Sequence, residues 1–164
     1  MTLLEVVLVV ALLSLLAGGL FLGLVDTGSQ ERFDEGVERF ESLLRMARSQ
    51  AAINGRCIRL ALEQNGRTTI LCEDDPVSSP GVFTQFAASW SDMSPEGLVL
   101  FVPPAQEDVV SPEQGELLIT FRPDGSSDSV EATLAPVESE DTRRMVVRLN
   151  GDTGRISRHE FIQD

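Results

Sequence analysis

Few side chains in this sequence could do chemistry. The chain has one histidine, His159, between Arg158 and Glu160, and it has neither a Gly-x-Ser-x-Gly element nor a phosphate-binding glycine loop. A catalytic base needs a nucleophile or acid at a recognisable position, and no such motif accompanies His159. We therefore expect no catalytic residue, no enzymatic activity and no cofactor.

Oxygen-bearing side chains occur in two predicted turns, Asp124 and Asp128 in the first and Asn150 and Asp152 in the second. Carboxylates and turn carbonyls are ligands that calcium prefers, but this spacing does not fit an EF-hand. Zinc is not indicated either, because the chain has a single histidine and no Cys-x-x-Cys spacing. We interpret the four residues as turn formers and expect no metal site.

The two cysteines, Cys57 and Cys72, flank a predicted hairpin with an Asn65-Gly66 turn. If residues 62 and 67 face each other, the cysteines do as well, whereas a two-residue turn would displace them by one position. Facing Cβ atoms lie about 4.5 to 5.5 Å apart, which a disulfide can reach at a non-hydrogen-bonded pair. An oxidising location outside the cytoplasm would permit the bond. We expect this disulfide, with two buried free thiols as the alternative.

The charged residues disfavour some classes of partner. The formal net charge is −13, and all 13 basic residues are arginine. This acidity opposes attraction to phosphate backbones and to anionic lipid surfaces, and it favours solubility.

The N-terminal run is apolar apart from Glu5. From Val6 to Val25 the chain has no charge and one hydroxyl group, on Ser14. About 20 residues that rise roughly 1.5 Å each can span a hydrocarbon core of about 30 Å. The run therefore predicts a transmembrane helix, in which a carboxylate needs an explanation.

Three interpretations of Glu5 remain open. A secretory signal peptide would have positive charge where Glu5 stands, which disfavours that interpretation. A carboxylate in the first turn of a helix gains about 0.3 to 1 kcal/mol from the helix dipole, and this accounts for Glu5 without a partner. In the third interpretation, Met1 is a processed N-terminus. Glu5 then faces the cationic amine of a neighbouring chain, which offsets a cost of about 2.5 to 3.5 kcal/mol for a charge in a bilayer.

A second apolar pattern follows the first. Its residues recur at alternating steps of four and three, which is typical of one face of a helix. Thr27 and Gln30 have the spacing of a capping box at its start, and Gly55 is typical of a C-cap at its end. The stripe consists of Phe33, Val37, Phe40, Leu44, Ala47 and Ala51.

The rest of the chain alternates as half-buried strands do. Turn residues at Pro123–Ser126 and Asn150–Gly154 separate strands, and one face of an antiparallel sheet is the expected partner of the apolar stripe. Strands are predicted near residues 57–62, 68–72, 97–102, 116–122, 129–134, 145–149 and 154–161.

Two segments between the strands are predicted to be exposed loops. They are residues 74–81 and 103–115, and both are rich in proline and acidic residues. Phe83, Phe86 and Trp90 are expected in a short helical stretch that covers the core.

The run Met1-Thr2-Leu3-Leu4-Glu5-Val6, with the apolar helix after it, resembles the mature N-terminus of type IV pilins and type II secretion pseudopilins. The resemblance implies a basic leader removed by a prepilin peptidase and N-methylation of Met1. It also implies that Glu5 sets the register of helix packing. Phe is usual at the first position, and Met is an accepted departure.

Three later stretches resemble the GspH/FimT group of minor pseudopilins and minor pilins. They are the Ala47-Arg48-Ser49 element of the second helix, the strand and turn from Phe121 to Ser126, and the Thr153-Gly154-Arg155 hairpin. The region 74–115 carries no motif of this group.

The resemblance implies a pilin-like α+β fold, with a long N-terminal helix packed on antiparallel sheets. Residues 1–28 would be the transmembrane and assembly helix, and residues 29–164 a periplasmic globular domain. The implied function is that of a non-catalytic minor pseudopilin of a type II secretion system, at or near the tip of the pseudopilus that drives protein export.

The same resemblance implies a location and a set of partners. A single helix would anchor the chain in the bacterial inner membrane before its incorporation into the pseudopilus. The partners would be other pseudopilins, the inner-membrane assembly platform and the prepilin peptidase. A minor pilin or main filament subunit of a type IV pilus is the alternative.

DNA capture is a further alternative. Some FimT-type relatives use a Gly-Arg-x-Arg motif near the C-terminus, and the stretch Gly154-Arg155-Ile156-Ser157-Arg158 is one residue longer. In a strand, Arg155 and Arg158 would lie on opposite faces, whereas DNA binding needs clustered basic residues. The two arginines are therefore weak candidates, and we expect no nucleic-acid partner.

Overall fold

The structure is a computed structural model that describes residues 3–87, 90, 93–95, 97–101, 116–137 and 142–162. For residues 4, 15–30, 101, 161 and 162 it describes the backbone alone. The chain divides into two compact units, Met1–Arg32 and Phe33–Asp164.

The described residues form one α-helix and eight β-strands. The helix α1 spans Leu3–Asn54. The strands are β1 (Ile58–Leu62), β2 (Thr68–Asp75), β3 (Ser79–Gln85), β4 (Leu98–Phe101), β5 (Leu117–Phe121), β6 (Val130–Pro136), β7 (Arg143–Leu149) and β8 (Ile156–Ile162).

Helix α1 continues through residues 26–29. The capping box predicted at Thr27, which would begin a second helix, is therefore wrong. The weak helix propensity of these residues costs only about 0.5 to 1 kcal/mol each, which is too little to interrupt the helix. The helix ends just before Gly55, whose φ of 64° is the left-handed conformation of a C-cap glycine. This end agrees with the prediction.

The predicted apolar stripe of α1 lies at the centre of the second unit. Each of its six residues is at most 2 % exposed. Leu43, which the pattern of fours and threes omitted, is buried beside them. The stripe and the inward residues of the strands form one continuous hydrophobic cluster, which Trp90 joins.

Two four-stranded antiparallel sheets pack on this cluster. The first has the order β3-β2-β1-β5 and the second the order β4-β6-β7-β8. Inward residues alternate with more exposed ones, as in β5, where Leu117, Ile119 and Phe121 are fully buried. The predicted α+β architecture of a helix on antiparallel sheets is confirmed.

The first of the two predicted loops is largely sheet. Strand β2 extends to Asp75, and β3 begins at Ser79 after a short turn. The carboxylate of Asp75 closes this turn, since it accepts hydrogen bonds from the backbone N–H groups of Val77 at 2.8 Å and Ser78 at 3.1 Å. The loop predicted at 74–81 is therefore wrong, while the one predicted at 103–115 lies outside the described residues.

The aromatic residues after this turn are only partly as predicted. Phe83 lies within β3, so a helical stretch there is wrong. Phe86 packs against the hydrophobic cluster and Trp90 is 8 % exposed, which agrees with their expected role as a cover of the core.

The register of β1 and β2 separates the two cysteines. Cys72 lies opposite Ile58, and the backbone N–H of Glu73 donates to the carbonyl of Cys57 at 2.9 Å. Consecutive residues of a strand point to opposite faces, so Cys72 shares the core side with Ile58 while Cys57 lies on the outer side. Cys57 and Cys72 are therefore offset by one residue instead of facing each other as predicted, and both thiols are free.

Glu73 of β2 bonds β3 and the residue just before β1, on the outer side of the first sheet. Its side chain is 7 % exposed. One carboxylate oxygen accepts the backbone N–H of Gly81 at 2.9 Å, and the other accepts that of Cys57 at 3.4 Å. These bonds, above all the one from Gly81, hold the pKa of Glu73 below its usual value of 4.5.

We expect Glu73→Gln to destabilise the second unit, Phe33–Asp164, which we call the folded unit, by about 1 kcal/mol at neutral pH. The reason is that an amide accepts these bonds less strongly than a carboxylate, by about this amount. The lowered pKa means that the ionised form stabilises the fold above its unfolded value near 4.5, and that this contribution is lost as pH falls through the lower folded pKa. The difference between wild type and variant should shrink accordingly. Guanidinium denaturation followed by the fluorescence of Trp90, at about pH 7 and about pH 3, measures both values.

The exposed neighbour Asp74 provides the control, since Asp74→Asn removes a carboxylate from the same strand without removing these bonds. A stability difference for Glu73→Gln that is the same at both pH values would contradict the role assigned to the carboxylate.

Candidate functional site

The first turns of α1 expose an apolar surface that carries one carboxylate. Every residue from 5 to 14 is exposed, and Glu5 is the only ionisable one among them. The apolar side chains include Leu3, which is 84 % exposed, and Leu13, which is 60 % exposed. Apolar surface on all sides of a helix is typical of a segment that contacts lipid or other helices. Met1 lies outside the described residues.

The hydroxyl of Ser14 donates to the carbonyl of Val10 at 2.8 Å.

Within the part of the chain that the structure describes, no helix is both long and apolar enough to cross a membrane.

Neither cysteine has the environment of a reactive thiol. Burial raises the pKa of both, and at Cys57 the carboxylate of Glu73 raises it further. A thiol with a raised pKa forms less of the nucleophilic thiolate at neutral pH. The arrangement around Cys57 and Cys72 therefore does not favour covalent catalysis.

Two of the four oxygen-bearing residues, Asp124 and Asn150, bind groups of their own turns. Asp124 accepts the backbone N–H and the hydroxyl of Ser126 at 2.9 and 2.7 Å, which lowers the pKa of its carboxyl group. Asn150 accepts the same two groups of Thr153 at 2.9 and 2.7 Å. The interpretation of Asp124 and Asn150 as turn formers agrees with these bonds, whereas Asp128 accepts the backbone N–H of Thr120 at 2.9 Å and pairs with Arg122. The described residues contain no group of three or more His, Cys, Asp or Glu placed to hold a metal ion.

The two candidate arginines for DNA contact differ in position. Both are exposed, but Arg155 precedes β8, whereas Arg158 lies in β8 with its Nη1 atom 3.9 Å from an oxygen of Glu41 on α1. This pairing reduces the positive charge that Arg158 presents. His159, the next residue, is exposed and lies opposite Val146 of β7.

The stretches that carried the family resemblance meet around Arg48 of α1. The Nε of Arg48 donates to the carbonyl of Gly125 at 2.8 Å, in the turn between β5 and β6. Its Nη1 lies against Gly154, in the turn between β7 and β8, at the place where a Cβ would project. We call Arg48, Gly125 and Gly154 the Arg48 junction.

The two turns of the junction also bind each other. The backbone N–H of Ser127 donates to the carbonyl of Gly151, and the N–H of Gly151 donates to the hydroxyl of Ser129, both at 2.9 Å. A Cβ on Gly151 would meet the carbonyl of Ser127, so only glycine permits this approach. The helix is thus held at a single place to the turn that links the two sheets, between β5 and β6, and to the turn between β7 and β8 of the second sheet.

Sequence reasoning found the three stretches of the junction but not their contact. The resemblance relied on the occurrence of all three stretches in one chain. The contacts explain why they occur together, because the long cationic side chain of Arg48 needs a carbonyl acceptor in one turn and a glycine in the other.

The region that contains Arg48 and Gly125 matches a known family. The sequence profile described as type II transport protein GspH matches residues 36–153. The chain belongs to the GspH family. Comparison with curated proteins gives no match.

The fold of this GspH-family protein is similar to that of a solved structure, the minor pseudopilin EpsH from the Type 2 Secretion System of Vibrio cholerae. The TM-score is 0.54 at 13 % sequence identity, and the match covers 78 % of this chain and 96 % of that chain. At this identity the similarity concerns the fold alone.

Membership of the GspH family confirms the resemblance to GspH-type proteins and the expected function in type II secretion, and the fold is similar to that of a minor pseudopilin. Pseudopilins are structural proteins, and membership of this family implies assembly with other pseudopilins.

We expect Gly154→Ala to destabilise the folded unit by about 3 kcal/mol. Part of this cost is the left-handed conformation, with a φ of 66°, which is unfavourable by about 1 to 2 kcal/mol for a residue with a Cβ. The remainder is the displacement of Arg48 from its charged hydrogen bond to Gly125. Guanidinium denaturation of the full chain in detergent measures the change.

Gly55→Ala is the matched control, because Gly55 has nearly the same φ, 64°, and nothing lies within 4 Å of its Cβ position. That change should cost only the backbone part, about 1 to 2 kcal/mol. In an Arg48→Ala background, Gly154→Ala should cost no more than Gly55→Ala. Equal costs for the two glycines in the wild-type background would refute the steric coupling.

Proposed function

We propose that this protein assembles into the pseudopilus through its N-terminal helix, and that Glu5 of one subunit pairs with the N-terminal amine of a neighbouring subunit. Before assembly, the same helix anchors the chain in the bacterial inner membrane as a single pass. A prepilin peptidase generates the free and methylated amine of Met1, and the inner-membrane assembly platform receives the subunit.

The observation that supports this proposal is the exposed apolar surface of the first turns of α1, with Glu5 as its one carboxylate. Water is a poor environment for Leu3, Val7 and Leu13, each at least 59 % exposed. Burial of apolar area contributes about 25 cal/mol per Å², so the surface strongly favours lipid or other helices. The proposed function supplies both environments, lipid before assembly and the helices of other subunits afterwards.

Glu5 gives the packing its direction. An ionised carboxylate in a bilayer costs about 2.5 to 3.5 kcal/mol, so an unpaired Glu5 would oppose the transfer that its neighbours favour. A cationic amine at the start of the adjacent helix removes that cost only at one axial offset between the two helices. Apolar side chains supply the affinity, and the charge pair supplies the register.

The folded unit suits a structural role in the periplasm. Its candidate catalytic groups are dispersed: His159 is exposed on an edge strand, and the thiols have raised pKa values. We infer that the protein is not an enzyme. The net charge of −13 of the whole chain favours solubility and disfavours nucleic acid as a partner.

The assembly proposal is tested by Glu5→Val in the native host. This change makes the helix more apolar, so membrane insertion should persist, and it leaves the second unit untouched. Breaking one side of a buried charge pair costs about 2 to 5 kcal/mol, so incorporation into the pseudopilus and secretion should fall at least about tenfold. Co-purification with other pseudopilins and the amount of secreted protein are the readouts.

Ser14→Ala is the control, because the partner that the described residues supply for the hydroxyl of Ser14 is the carbonyl of Val10 in the same helix. It should leave secretion unchanged. Normal incorporation of the Glu5→Val protein would contradict the pairing, and mass spectrometry that finds an uncut leader on the native protein would remove the amine on which it depends.

A further inference from the structure

A cavity of about 350 Å³ lies between the C-terminal end of α1 and the turns of the Arg48 junction. Its apolar walls come from Leu44 on the helix and from Phe121, Leu149 and Ile156 on the strands. A volume of this size accommodates one or two side chains of a partner rather than a helix.

The charge of this cavity is opposite to that of the chain. Arg45 and Arg48 line it, and no acidic residue does so among the described residues. The chain as a whole has 26 acidic and 13 basic residues. Because Arg45 pairs with Glu41, the cationic group that the described residues leave available in the cavity is the guanidinium of Arg48.

Arg48 differs from the other arginines of the helix in its partners. Arg39 and Arg45 each pair with a glutamate four residues earlier, at 2.7 and 2.8 Å. Arg48 is half-buried, and the partner that the described part of the chain supplies is a neutral one, the carbonyl of Gly125. A half-buried guanidinium with free donors binds a carboxylate more strongly than a solvated one does.

We propose that this cavity binds an extended segment of a partner protein that carries an aliphatic side chain beside a carboxylate. The aliphatic group fills the space between Leu44 and Ile156, and the carboxylate binds the guanidinium of Arg48. A polyanion such as DNA fits less well, because the walls are apolar and the surrounding chain is acidic. This inference goes beyond the assembly of the N-terminal helix and does not depend on Glu5.

The test is an NMR titration of the ¹⁵N-labelled full chain in detergent micelles, followed at the amides of Gly125 and Gly154. The probes are acetyl-Gly-Leu-Asp-Gly-amide and its Asn counterpart, which differ only in the charge of one side chain. The Asp peptide should bind about tenfold more tightly, as a charge-assisted hydrogen bond predicts. Arg48→Met should remove this preference where the variant folds.

A second variant keeps Arg48 and the junction intact. Ala52 lines the cavity from the exposed side of the helix, so Ala52→Leu should fill it and weaken binding of the Asp peptide about tenfold, since leucine keeps the helix favourable. Ala52→Ser should leave binding unchanged. Equal affinity for the two peptides, or binding that ignores Ala52→Leu, would overturn the proposal. Shifts of the same amides by a short DNA duplex at lower concentration than the peptide would overturn it in favour of phosphate.

Discussion

The second unit depends on burial of one helical stripe by two sheets. The stripe from Phe33 to Ala51 is the common wall of the hydrophobic cluster, and both sheets contribute inward residues to it, such as Leu60 from the first and Leu134 from the second. Each sheet needs the helix to cover its apolar face, because an isolated four-stranded sheet would leave that face in water. The half of α1 that carries the stripe is therefore part of the folded unit.

Apolar burial alone does not fix how the hairpins sit on the helix, because it has no directional component. The Arg48 junction adds direction. Its guanidinium bonds the turn between β5 and β6 and packs against the glycine of the turn between β7 and β8, while Gly151 and Ser127 join these turns to each other. The first turn follows a strand of one sheet and the second connects strands of the other. The junction thus ties both sheets to the last turns of the helix.

The sequence predicted the parts of the fold that have a strong period. The stripe of α1 and seven of the eight described strands follow from steps of four and three or from alternation, which report burial on one side. Strand β3 was missed because it is an edge strand whose residues are mostly exposed, and Ser79-Pro80-Gly81 has the composition of a loop. Proline is tolerated there because an edge strand need not use every N–H group in the ladder.

Positions that depend on pairing were harder to predict than the elements themselves. The displacement of Cys57 from Cys72 by one residue follows from the length of the turn before β2, and a single residue reverses the face of a side chain. The Arg48 junction depends on contacts between residues 77 positions apart, which no local pattern contains. Sequence resemblance located its members, and only the folded arrangement gave the reason.

The charges of the chain have different roles in different places. Exposed pairs such as Arg39 with Glu35 and Arg148 with Glu131 contribute about 0 to 1 kcal/mol each, so they matter little for stability, and the excess of acid mainly serves solubility. Glu73 and Arg48 are less accessible to water than these pairs. Glu73 accepts backbone N–H groups from Cys57 and Gly81, and Arg48 donates to the carbonyl of Gly125 and packs against Gly154. A single charge that is shielded from solvent constrains the fold more than many exposed pairs do. If its hydrogen bonds to the protein break, water cannot readily replace them, so the elements that it contacts are held in place.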